Sequence, residues 1–158
     1  MRPFRTPRLC STSTRRTSWT YCRSSTILVL VPTPVVAELE EGRARGVALP
    51  DVGSLSWVSV VAPPVPQILA LAPDLGPGER SALAVAATRR LLVILDDALA
   101  RRHAGLLGLR CTGTLGILIQ AKRKGYLPAV RPVLDRLESL RFRLDPATRA
   151  SALDLAGE

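Results

Sequence analysis

Between Gly78 and Leu127 the chain alternates short aliphatic runs with helix-like stretches, and that alternation restricts the fold more than any other feature. Leu91–Leu95 is a continuous apolar run of strand length, too short for a helix and too unbroken for a strand with one wet face. It ends on Asp96-Asp97. Glu79–Arg89 before it places Ala82, Leu83, Val85 and Ala86 on one side and is expected to be a helix, as is Asp97–Leu107 after it. Leu109–Cys111 is then a short strand, and Thr114–Lys124 a helix ended by Gly125. Strand, helix, strand, helix in this rhythm implies a mainly parallel sheet covered on both faces.

The same grammar extends outward. Ile27–Val31 is a buried-strand pattern, and Pro32-Thr33-Pro34 opens a helix over Pro34–Arg45 that Gly46 closes. Leu49–Gly53 is a loop, Trp57–Val61 a strand, and Ala70–Pro77 a Pro/Gly-rich link. Val130–Leu140 and Pro146–Leu155 are two further helices. At 158 residues and 47% hydrophobic content, this is one globular domain with a sizeable core.

Charge and cysteine usage narrow the function classes. The net charge of +9 is concentrated in Arg2, Arg5, Arg8, Arg15, Arg16 and Arg23, with no acid before Glu38, so basicity supports a nucleic-acid partner only weakly. Cys10, Cys22 and Cys111 have no metal-binding spacing and read as reduced thiols of a cytoplasmic protein. His103 is the single histidine and has no evident nucleophile beside it, which disfavours a Ser-His or Cys-His mechanism. No apolar run reaches the ~18 residues of a membrane span.

Glu38, Glu79, Asp96 and Asp97 are the carboxylates of interest, because hard divalent cations take carboxylate oxygens. Each also has a structural reading: Glu38 as a solvated helix residue, Glu79 as a first-turn acid favoured by the helix dipole, Asp97 as a helix N-cap. Arg101, Arg102, Lys122, Arg123 and Lys124 are candidate nucleic-acid contacts, although cations in a last helical turn also suit the dipole.

The segments PTPVVAELEEG, LGPGERSALAVA and LLVILDDALARRHAGLLGLRCTGTLGILIQAKRKGYLPAVRPVLDRL together resemble the PIN-domain superfamily, in the DUF3368 branch related to VapC-type toxins. The resemblance spans roughly residues 27–157. It implies a three-layer α/β/α sandwich with acidic residues gathered around Mg²⁺ or Mn²⁺. Glu38, Glu79 and Asp96, with Asp97 adjacent, stand where the family carries its ligands. It further implies metal-dependent endoribonuclease activity, RNA as substrate, an antitoxin-like protein partner and a homodimer. A non-catalytic module binding nucleic acid or a partner protein stays open beside it, as does a remnant without function.

The family's first strand ends in Asp-x-Ser-Pro-Leu and supplies its first ligand, whereas residues 1–26 here contain nothing comparable. The segment is rich in Arg, Ser and Thr and superficially like a transit peptide. The genetic code supports a different reading. If each true codon begins on the third base of the one translated, Arg5 through Cys10 can encode Asp-Ala/Thr-Ser-Pro-Leu. Trp19 through Arg23 then encodes Asp, an aliphatic residue, Leu and Pro or Ser. All but two of the 22 basic residues are arginine, as in a GC-rich gene whose shifted frames emit Arg, Ser, Thr and Pro. Residues 1 to about 25 therefore read as a frameshifted or disordered segment before an incomplete PIN-like domain over 27–158. The first strand is expected to be missing or disrupted, with metal affinity and activity impaired.

Overall fold

A computed structural model describes residues 9–11, 28–64 and 74–158, with 9–11 described for the backbone alone. Among the described residues five strands form one sheet: β1 Leu9–Ser11, β2 Val29–Pro32, β3 Val58–Val61, β4 Leu92–Ile94 and β5 Cys111–Thr112. Every pairing is parallel and the order is β3-β2-β1-β4-β5. Among the described residues six α-helices accompany them: α1 Thr33–Ala44, α2 Pro77–Arg89, α3 Ala98–Leu106, α4 Thr114–Arg123, α5 Arg131–Ser139 and α6 Pro146–Ala156.

Burial explains why the strands read as unbroken apolar runs. Leu30, Val93 and Leu95 pack with α2 and α3 through Leu83, Val85 and Ala100. Val29, Val31 and Ile94, the alternate residues, pack the other way against Val35 and Leu39 of α1. Both faces of the sheet are covered, so alternation of side chains produces two cores instead of one wet face. This is the expected three-layer α/β/α arrangement. A third cluster binds α4, α5 and α6 to one another through Leu118, Leu134, Leu137 and Leu153.

Most elements lie within two residues of their expected bounds; a short 3-10 turn, Val52–Ser54, falls in the expected loop. Of the Ala70–Pro77 link, residues 70–73 lie outside the described residues, as do 1–8 and 12–27.

One expectation is corrected. The first strand is not missing: Leu9–Ser11 fills the centre of the sheet, with Cys10 opposite Leu30 on one side and Val93 on the other. The physical reason is that ladder pairing uses backbone N–H and C=O groups, which any extended tripeptide supplies. Between two parallel strands whose inner edges would otherwise lack partners, that requirement outweighs the loss of a favoured side-chain pattern. What remains missing is chemical: no acidic residue precedes Glu38.

Among the described residues, α1 starts at Pro32 without a capping side chain, and so do three later helices, at Gly76, Gly113 and Val130. The free N–H groups of these three must be met from elsewhere, and carboxylates distant in sequence meet them. The Glu158 side chain serves α5, accepting from the N–H of Val130 and of Arg131 while Lys122 Nζ donates to it from 2.9 Å. These donors hold its carboxyl well below the usual range, at about 2 instead of 4.5, with the Val130 N–H the largest cause. A depressed carboxylate stabilises the fold above its unfolded pKa and loses that contribution as pH falls through the folded value. Thermal stability of the native chain is thus expected to fall more steeply from pH 4.5 to 2 than that of Glu158→Gln. Parallel pH profiles for the two would refute the assignment.

Candidate carboxylate site

The strand order places a topological switch beside β1. The chain runs outward from β1 through β2 to β3, then crosses to β4 on the other flank. In open parallel sheets the crevice outside the carboxyl ends of the strands at such a switch is where ligands bind. β4 ends there at Ile94 and delivers Asp96 and Asp97; β5 ends there at Thr112 and delivers Gly113 and Thr114.

Asp96 is held on both oxygens. The Thr114 N–H donates to Oδ1 at 2.7 Å and the Thr114 hydroxyl to Oδ2 at 2.6 Å. Thr114 is only 1% exposed. Asp96 thereby caps α4, whose own N-cap, Gly113, has no side chain to do so. The approach requires a glycine: a methyl on Gly113 would stand 2.9 Å from Asp96 Oδ1, 3.0 Å from Arg101 Nη1 and 3.2 Å from the Leu95 carbonyl oxygen.

Glu38 behaves likewise toward α2. Its Oε1 accepts the Gly78 N–H at 2.9 Å across 40 positions of sequence, and its carboxylate lies flat against the bare Gly78 Cα. A solvated helix face therefore does not account for it. Gly78→Ala would place a methyl 2.5 Å from Glu38 Oε2, yet that is the far end of a flexible, exposed side chain. Losing the contact costs about 1 kcal/mol, and Ala over Gly returns about as much. Gly78→Ala is expected to leave the melting temperature within a few degrees of native while swinging Glu38 away from α2, visible in a crystal structure of the variant. A variant that unfolds would contradict this.

Glu79 sits at the third position of α2, half-buried, with Oε2 accepting the Gly76 N–H at 3.3 Å in a capping arrangement. Burial pushes its carboxyl above the ordinary value, and repulsion from Asp97 and Glu38 adds to the rise against the opposing Gly76 N–H. These three acids therefore share one electrostatic neighbourhood. Asp97 caps α3 by accepting the Ala100 N–H at 2.9 Å, the role expected for it.

The donors suit a hard cation in kind, but the arrangement does not enclose one. Among the described residues no group of three or more His, Cys, Asp or Glu side chains could hold a metal ion. Glu38, Glu79 and Asp96 each spend oxygens on helix N–H groups, and β1 brings no carboxylate to the crevice.

The basic candidates divide. Arg101 and Arg102 are exposed on α3, and the Arg101 guanidinium reaches over Gly113 toward Asp96. Lys122 pairs with Glu158, and Arg123 donates to the Leu155 carbonyl at 3.1 Å, so both tie α4 to the C-terminal helix. Lys124 is exposed at the end of α4. His103 faces Asp74 at 3.4 Å. Thr114 was the partner least legible beforehand; its signal was the glycine N-cap before it, which left a helix start needing an outside acceptor.

Among the described residues no helix is long and apolar enough to cross a membrane. No curated protein matches the chain. The family model for the PIN domain, DUF3368, matches residues 23–158.

Proposed function

Because the chain belongs to the PIN-domain family, we propose that it acts on RNA through the carboxylate end of its sheet, as a catalytically impaired relative of the Mg²⁺- or Mn²⁺-dependent endoribonucleases of toxin–antitoxin type. The observation that carries this is the placement of Asp96 and Asp97 just past the end of β4, with Glu79 of α2 in the electrostatic neighbourhood of Asp97 and of Glu38 of α1, around a switch point to which β1 adds no acid. Exposed Arg102 and Lys124 are side chains available to phosphates. The reading places the protein in the cytoplasm, as a homodimer able to dock an antitoxin-like partner.

The impairment follows from a displaced reading frame over residues 1 to about 25. The start of the family match at residue 23 supports it, as does the encodable Asp-x-Ser-Pro-Leu. A chain made from the corrected frame is expected to cleave a mixed RNA pool in Mn²⁺, while the chain as written binds the same pool without cutting it. Cleavage by neither would refute the ribonuclease reading; equal cleavage by both would refute the impairment.

The engagement of Glu38 and Asp96 as helix caps favours a second reading, a non-catalytic RNA-binding module. Undiminished RNA binding by a Glu79→Gln, Asp96→Asn double variant in metal-free buffer, together with an inert frame-corrected chain, would select it.

A further inference from the structure

The carboxylate end of the sheet carries a cation of its own. Arg101 lies one turn beyond the N-cap Asp97, on the helix that starts where β4 delivers Asp96. Its Nη1 and Asp96 Oδ1 converge on the bare face of Gly113, each about 3 Å from the point a methyl would take. Among the described residues Arg101 forms no ion pair with any carboxylate, Asp96 included, so its guanidinium faces Asp96 across Gly113 without touching it. Thr114 satisfies each Asp96 oxygen once, which leaves lone pairs free to face a cation.

We propose that Arg101 is the resident cation of this site, supplying to Asp96 the positive charge that a divalent ion would otherwise bring and competing with such an ion for the same face. The inference rests on the reading of Glu38, Glu79 and Asp96 as the ion-holding positions of the family. A guanidinium stays charged at every working pH, and its tether to α3 keeps it at the site at a high effective concentration. A free divalent ion must displace it and also overcome its repulsion across a few ångströms. That accounts for a set of acids which stays folded onto helix N–H groups without enclosing a metal.

The test is Mn²⁺ affinity, read from the electron paramagnetic resonance of the free ion against the full chain at low ionic strength. Arg101→Gln should bind Mn²⁺ about tenfold more tightly than the native chain, and Arg101→Lys should stay close to native. Equal affinity in native and Arg101→Gln, including no binding by either, overturns the proposal. If Arg101→Gln does not fold alone, recovery of its cooperative melt on adding Mn²⁺ supports it and failure to recover overturns it. Binding of a single-stranded RNA oligonucleotide by the native chain in metal-free buffer is measured in parallel. Loss of the Mn²⁺ effect with RNA binding intact sinks only this inference. A Mn²⁺ effect without RNA binding sinks only the functional reading.

Discussion

Asp96→Ala is expected to destabilise the fold by about 2–3 kcal/mol, whatever it does to activity. The substitution removes two charge-assisted hydrogen bonds to Thr114, a residue only 1% exposed. It also strips α4 of its cap, since Gly113 cannot replace it. Asp96→Asn should recover much of the loss. Its carbonyl oxygen can accept the Thr114 N–H, and its amide can donate to the Thr114 hydroxyl. Urea unfolding of the two variants beside the native chain checks this. Equal stability of Asp96→Ala and native would mean that Asp96 is not a cap. A loss of RNA cleavage or binding on Asp96→Ala is therefore not interpretable alone, and Asp96→Asn is the cleaner probe of chemistry.

Leu118→Ala should cost about 2–5 kcal/mol, and its consequence for the site is indirect. Leu118 lies on α4 one turn after Thr114 and is fully buried among Leu134, Leu137 and Leu153. Truncation opens a cavity between α4, α5 and α6, in a cluster of helix and loop residues to which no strand contributes. The variant should unfold at lower denaturant with an unchanged slope, and the Thr114 amide should exchange hydrogen faster than amides of β4. Exchange accelerated equally in β4 and α4 would show that the helical trio and the sheet open together.

Several features were legible in the residues alone, for identifiable reasons. Leu91–Leu95 and Ile27–Val31 were recognisable because a parallel strand buried on both faces cannot afford a polar position. Asp97 was recognisable as a cap because capping is local: donor and acceptor are three residues apart. Glu38 was not, because its partner Gly78 stands 40 residues away, and no periodicity connects them. Lys122 and Arg123 looked free to meet phosphate for the same reason; their partners, Glu158 just past the end of the last helix and Leu155 on it, stand 36 and 32 positions away. The central strand was misjudged because side-chain pattern was taken as the requirement for pairing, when the backbone suffices.

By itself, then, the order of residues determined the class of fold, the family and the inventory of carboxylates, since each of these depends on composition and spacing along the chain. Only the tertiary structure decided what those carboxylates face. Glu38 meets α2, Asp96 meets α4 with Arg101 across Gly113 from it, and Glu158 meets α5, while no described set closes on a metal. The reason is electrostatic and geometric. At α2, α4 and α5 a helix start with no capping side chain takes an anion from an element packed against it, and that neighbour is chosen by the topology of the sheet.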